Sequence, residues 1–450
     1  MASASRARRA ALQRIGRLTG GRPGPWARGW AKDGSWVLAS QVSALVATTV
    51  LAILIARALG PSEYGTFAGI YSLAQAVTIA AELGIATWLL RELSALSAEH
   101  GEEHEDHAGA AGHLLAPALA LTQGVGLLLV VGTTTAVALL GYSTQLVVCI
   151  GALTLYMCQV SIADIVESVF RARRAMRLLA TAVIGEKVLL LILVITVVAL
   201  DGGIVLLAAA YATAGLARIT FDLVAVLVRR YARLVRPRLP RLGAVVRRSL
   251  PFWGASTVVP ALVRLDIFFV GLFSTTSAAY YTVGDRWVTG LQVLSTTAGI
   301  TLYPHLARRR DVARVTRRAS LMLGAVGVVL TLVSVLIAPA VVPALFGERY
   351  SGAVPVVQVM VVAAPWIYGA YMYFVGLNSV RRERSVFVAT LLGTVVGTGL
   401  VLVGMAAFGV IGAAVAYVVR FALTYAAVRG TARYHGFKRL VQPQVSGGGH

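Results

Sequence analysis

Charged residues are scarce in this chain. They make up 13% of its 450 residues, against about 25% in an ordinary soluble domain. That deficit excludes a soluble globular fold. Acidic residues are the scarcer sign, 19 against 41 basic. Cysteine is nearly missing, with only Cys149 and Cys158. Nine residues apart in one apolar stretch, they face opposite sides of a helix, so neither a disulfide nor a cysteine-rich metal site follows. The 45 glycines keep no strict period, which excludes collagen-like fibres. No G-x-x-x-x-G-K-[ST], H-E-x-x-H or G-x-S-x-G pattern occurs, so the usual motifs of nucleotide, metallopeptidase and serine-hydrolase chemistry are missing.

What the chain has instead is apolar residues, 58% of the total, with a mean hydropathy of +0.77. This composition predicts an all-α polytopic membrane protein. A spanning helix needs about 20 mostly apolar residues. That ruler gives twelve spans: 36–56, 64–90, 113–140, 144–170, 178–200, 203–228, 250–273, 278–303, 320–342, 354–377, 386–407 and 410–428. Nothing between them is long enough for a soluble catalytic domain, so no enzyme and no cofactor is expected. Residues 1–35 are basic, and the apolar stretch behind them is too long for a signal peptide. The first span is expected to remain as an anchor.

The formal net charge of +22 could suggest nucleic acid. In so apolar a chain, basic cytoplasmic loops explain it better, and membrane lipids are the expected partner. With the N-terminus inside, the inside segments hold 34 Lys or Arg. The outside segments hold only Arg57 and Arg349. Both termini are therefore predicted to be cytoplasmic. One inside loop, 94–112, is acidic and rich in histidine. Its 99–113 stretch, with His100, His104, His107 and His113, has ligand types that suit Zn or Ni. It has no cysteine and no rigid scaffold, so a solvated loop is the preferred reading and no metal is expected.

The chain divides into a basic segment 1–35, a six-helix lobe 36–228, a basic linker 229–249, a second six-helix lobe 250–428 and a tail 429–450. The linker carries eight Arg and two Pro and suits a surface of anionic headgroups. A shift of 215 residues lays Ser62, Gly69, Gly84 and Ile85 on Ser277, Gly284, Gly299 and Ile300. Two halves of six spans that both begin inside form a parallel repeat, the pattern of transporters with a site between pseudo-symmetric lobes.

Six segments carry a family likeness: ARALGPSEYGTFA at 56–68, ELGIATWLLRELS at 82–94, YPHLAR at 303–308, LFGERYSGAVP at 345–355, LNSVRRERSVF at 377–387 and GVIGAAVAYVV at 409–419. In order and spacing the chain resembles the bacterial polysaccharide-biosynthesis flippases, the Wzx-like group of the multidrug/oligosaccharidyl-lipid/polysaccharide (MOP) exporter superfamily. The resemblance runs over about 36–428. It implies a plasma-membrane flippase that carries polyprenyl-diphosphate-linked oligosaccharide outward by alternating access. Polysaccharide polymerase and glycosyltransferases would be its partners. An ion-coupled multidrug exporter of the same fold is the alternative.

Ionisable residues inside a span are costly and mark a site or a pairing. Asp164, Glu186, Lys187, Arg218 and Asp222 lie roughly 9–15 Å from the cytoplasmic ends of their spans at about 1.5 Å per residue. Arg218 and Asp222 are an i,i+4 pair, and mutual neutralisation or a cation site follows. Glu167 and Arg171 are assigned to a helix end. Arg264, Asp266, Asp285 and Arg286 share one depth near the outer ends of theirs. Pro260 is expected to bend the helix there and free the carbonyl of Ser256. The resemblance implies that the first two helices of each half line the cavity. Arg264, Arg286, Asp266 and Asp285 are then substrate candidates, the arginines for a diphosphate. The same analogy puts Glu82 toward the cavity, and Arg57 and Arg91 at helix ends. Arg420 has no assignable partner. Unpaired acids in the cavity would suit cation export, unpaired arginines the anion.

The loop charges yield a direct test. A reporter fused after residue 310 should read cytoplasmic and one at Ser351 external; swapped signals would overturn the twelve-span topology.

Overall fold

The structure is a computed structural model that describes residues 25–100, 105–233, 235, 239–253, 257–308, 312–380 and 382–435. The described residues contain no strand. The helices run α1 Pro25–Ala81, α2 Ile85–His100, α3 Glu105–Leu139, α4 Thr144–Ala172, α5 Met176–Ala199, α6 Gly203–Val228 and α7 Leu239–Trp253. The second half has α8 Val259–Phe273, α9 Thr275–Arg308, α10 Val312–Phe346, α11 Ala353–Met360, α12 Ala364–Ser379 and α13 Glu383–His435. Eight described stretches are long and apolar enough to cross a membrane. Two of them, in α1 and α13, are bent into two arms each.

The bends have local causes. Gly60 takes φ 73 inside α1, a left-handed value that L side chains avoid. Pro61 then starts the second arm, where its fixed φ and missing N–H fit a first turn. Gly409, with φ 63, bends α13 in the same way. The expected span 64–90 is not continuous. Leu83 and Gly84 both take positive φ, and the chain re-enters helix only at Ile85. In the expected span 250–273, residues 254–256 lie outside the described residues. A π-helical turn at 257–258 leads into α8, and Pro260 follows it in the first turn of α8, where proline is tolerated. The carbonyl of Ser256 lies outside the described residues. α8 and α9 correspond to expected spans 250–273 and 278–303, and neither is among the eight apolar stretches.

α4 is the centre of the first half. It packs against α1, α2, α3 and α6, and its face from Cys149 to Phe170 is buried. In the second half α12 packs between α9, α10 and α13. The halves meet where α1 lies on α8 and α9. One continuous apolar cluster crosses this seam, from Leu51 and Phe67 to Val270, Val283 and Tyr350. α7 is amphipathic: Val245 enters the core beside Leu93 and Leu115, while Arg247 and Arg248 are exposed. At its end Trp253 Nε1 donates to the carbonyl of Ala80 at 2.7 Å, an acceptor left open because α1 stops there.

At the Gly60 end the halves close tightly. A Cβ at Gly65 would run into the carbonyl of Thr275, so only glycine allows this approach. Ser62 Oγ lies 3.1 Å from Thr275 Oγ1. Tyr350 donates to the carbonyl of Ala56 at 2.9 Å. Cys149 and Cys158 are both buried, so a disulfide can be introduced at this seal without background. Ser62→Cys with Thr275→Cys should cross-link under mild oxidation, read by a gel shift after cleavage between the halves. No cross-link in the membrane would mean that these two corners do not meet.

Candidate functional site

A small cavity of about 60 Å³, partly open to solvent, lies between the halves. The first arm of α1 lends it Thr48, Leu51, Ala52 and Ile55; the second lends Tyr64, Phe67, Ala68, Tyr71, Ser72 and Gln75. Both sets recur every three or four residues, one face of each arm. Tyr156 of α4, Lys187 of α5 and Tyr211 of α6 complete the first-half wall. Arg264 of α8 and Arg286 of α9 face them from the second half. Three cations thus reach the cavity. Among its described lining residues there is no carboxylate.

The acids are held behind the wall. Asp266 is two residues from Arg264 but 1% exposed, and Arg420 of α13 reaches across to form a close ion pair with it. Thr398 donates to its other oxygen at 2.9 Å. The Arg420 guanidinium lies 4.9 Å from the ring centre of Tyr417 and 5.3 Å from that of Phe421, geometry in which aromatic faces attract a cation. Its side chain occupies the space a Cβ at Gly397 would need. Arg264 keeps only a loose pair with Asp285 at 3.9 Å. Arg286 has no ion pair among the described residues, and its Nε has no hydrogen-bond acceptor. It sits among Tyr64, Tyr71, Tyr211 and Asp285. The four charges of α8 and α9 therefore do not close on one another. Arg420 withdraws one acid and leaves a basic surplus facing the cavity.

The first-half cluster keeps the expected Arg218–Asp222 pair only loosely and adds tighter partners. Arg218 Nη1 donates to Glu186 at 2.6 Å and Nη2 to Glu167 at 2.5 Å. Its fork turns away from its own helix toward α4 and α5, leaving Asp222 at 3.9 Å from Nε. Asp222 is 0% exposed with neither oxygen hydrogen-bonded among the described residues. Glu167 thus belongs to the cluster and not only to a helix end. It also pairs with Arg171 at 3.2 Å, which approaches Asp164 at 3.8 Å. Glu186 Oε1 accepts from Tyr156 and from Lys187, both at 2.8 Å.

Three further candidates stand apart from the cavity wall. Arg57 donates to the carbonyl of Ala344, which latches α1 to the end of α10. Glu82, in the break between α1 and α2, accepts from Ser161 at 2.7 Å. Arg91 lies on α2, exposed. Of the histidine-rich loop, 101–104 lie outside the described residues. Among the described residues no His, Cys, Asp or Glu group could hold a metal. The tyrosines of the cavity were not anticipated. Phe67, Tyr71 and Gln75 fall at i,i+4 steps, a signal that a sequence offers, whereas Tyr156 and Tyr211 join them only through packing.

Residues 30–310, more than half of the chain, match the family described as polysaccharide biosynthesis protein. Among solved structures, an inward-facing multidrug resistance MATE family transporter of the MOP superfamily aligns with a TM-score of 0.66 and 14% identity. The alignment covers 89% of this chain and 96% of that one. The lipid II flippase MurJ, in an inward closed conformation, aligns with 0.70 and 12% identity, over 90% and 88%. A MOP superfamily transporter from Pyrococcus furiosus, described by the reverse polarity of its binding pocket, aligns with 0.59 and 15% identity, over 89% and 95%. At these identities the likeness is one of fold. No curated protein matches the sequence.

The ion pairs behind the wall generate a stability test. Asp266→Asn or Arg420→Met alone leaves a buried charge without its partner, a loss of about 3–5 kcal/mol. The double variant removes both charges and should regain much of it. Asp222→Asn should cost far less than Arg218→Met, because Asp222 makes no hydrogen bond to lose. Melting temperature in detergent reads all five proteins; equal losses for Asp222→Asn and Arg218→Met would contradict the pairing.

Proposed function

The chain belongs to the polysaccharide biosynthesis protein family, and we propose that it flips polyprenyl-diphosphate-linked oligosaccharide across the bacterial plasma membrane. It is a multi-pass membrane transporter on the MOP fold. The observation that carries the reading is the sign of the cavity. Lys187, Arg264 and Arg286 line it without a carboxylate, a surface for an anion and not for a cationic drug. Guanidinium suits a diphosphate because its planar fork donates to two oxygens at once.

The topology completes the proposal. With α8 and α9 added to the apolar stretches and the bent helices read as two arms, twelve crossings form lobes at 36–228 and 250–428. Both termini and the 229–249 linker then lie in the cytoplasm, where enzymes that build the lipid-linked sugar would deliver it. The seal at Ser62 and Thr275 falls on the outer side, so the conformation is closed outward. Alternating access requires that seal to part while the inner ends converge. Diphosphate and sugar cross inside the cavity while the polyprenyl tail stays in lipid, and partner polymerases take the product outside. A multidrug exporter of the same fold would need an acid exposed to its cargo, and Asp222, a buried carboxylate with no hydrogen bond among the described residues, does not line the cavity.

Arg264→Ala should abolish flipping with normal abundance, since Asp285 at 3.9 Å is not left in a tight buried pair. Arg264→Lys, which keeps charge but loses the fork, should recover only part. The assay is lipid-linked sugar retained in the inner leaflet, beside protein in the membrane fraction. Normal flipping by Arg264→Ala would sink the diphosphate role.

A further inference from the structure

The two walls of the cavity differ in chemistry. The α8–α9 wall presents guanidinium groups. The wall from α1, α4, α5 and α6 presents phenol rings, an amide and one ammonium. We propose that the cavity is bipartite: the first-half wall binds the sugar next to the diphosphate, with Tyr71 as its stacking ring and Gln75 and Lys187 as its hydroxyl-reading groups. This deepens the flippase reading and rests on it.

The aromatic wall is built as a platform. Tyr211 packs edge-on against Tyr156, with centroids 5.1 Å apart, and against Tyr71 at 5.7 Å. Phe67 backs both Tyr71 and Tyr211. Tyr156 and Tyr211 are buried, so they support; Tyr71 is only half-buried and is the ring that a ligand can cover. An apolar body with a polar tip fits a sugar, whose ring faces are C–H and whose edges are hydroxyls. Gln75 stands one helical turn from Tyr71 on the same cavity stripe. Its amide offers both a donor and an acceptor, which a hydroxyl needs and a phosphate does not.

Lys187 is poised to move. Glu186 receives three donors: Lys187, Tyr156 and Arg218. If Lys187 swings into the cavity, Glu186 keeps Arg218 at 2.6 Å and Tyr156 at 2.8 Å. The carboxylate stays hydrogen-bonded, and the ammonium exchanges its bonds to Glu186 and Tyr156 for one to a sugar hydroxyl. Arg286, which lines the same cavity as Tyr64, Tyr71 and Tyr211, marks where the guanidinium wall meets the phenol wall. A diphosphate held there places the first sugar against Tyr71.

The purified full-length protein in nanodiscs tests this with three probes: inorganic pyrophosphate, undecaprenyl diphosphate, and undecaprenyl-diphosphate-linked N-acetylglucosamine. Wild type should bind the glycosylated lipid more tightly than the bare one. Tyr71→Leu should weaken the glycosylated lipid by about tenfold or more and leave the other two unchanged. Tyr71→Trp should restore the stacking. Gln75→Leu, expected to fold, should erode the preference for the glycosylated lipid and spare pyrophosphate. Lys187→Met removes a cavity cation as well and should weaken all three probes, the glycosylated lipid most. Equal weakening of all three probes by Tyr71→Leu and Gln75→Leu would overturn the sugar wall. So would a wild type that binds bare and glycosylated lipid alike. A wild type that binds neither pyrophosphate nor bare diphosphate lipid fails the flippase reading itself.

Discussion

One ion pair decides what the cavity can hold. α8 brings Arg264 and Asp266 to the same depth, two residues apart, and α9 brings Asp285 and Arg286 beside them. Left to themselves the four could neutralise each other. Arg420 prevents it. It enters from α13, pairs with Asp266 and lies against two aromatic rings, all behind the wall. The second half then has three arginines for two acids, and the surplus faces the cavity. A buried ion pair is weak evidence for stability. Here its consequence is electrostatic: it fixes which charge remains to meet a ligand.

The first half applies the same logic with different parts. Arg218 collects Glu167 and Glu186 on two neighbouring helices, so neither acid lines the cavity, and Lys187 remains as a third donor to Glu186 from the cavity side. Acids are anchored in each lobe, while Arg264 is held loosely and Arg286 without an ion pair among the described residues. The tight ion pairs described above each lie within one lobe. What does cross the seam at the sealed end is lighter: a hydroxyl contact, two hydrogen bonds to carbonyls and apolar packing.

Much of the architecture could be read from the sequence because its causes are local or additive. Apolar length sets a helix, and the Gly60-Pro61 step sets a corner. The membership in the polysaccharide biosynthesis family followed from motifs at such corners. The pairings could not be read in the same way. Arg218 and Asp222 are one turn apart, yet Arg218 spends its fork on other helices. Arg420 and Asp266 are 154 residues apart, and no depth estimate along one helix identifies a partner on another. The break at Leu83–Gly84 was equally hidden, since Gly84 has a counterpart at Gly299 that lies within the unbroken helix α9.

That last contrast bears on how the lobes differ. Equivalent positions under the 215-residue shift end a helix in one half and continue it in the other. The break in the first half frees the carbonyl of Ala80, which takes the indole of Trp253 from the end of the inter-lobe helix α7. α7 is thus tied to the first half at two points, through Val245 in the core of α2 and α3 and through Trp253 at α1. α8 then begins its rise from a point held by the opposite lobe. Under the alternating access proposed above, α8 carries Arg264 between an end anchored near Trp253 and the Thr275 end of the seal.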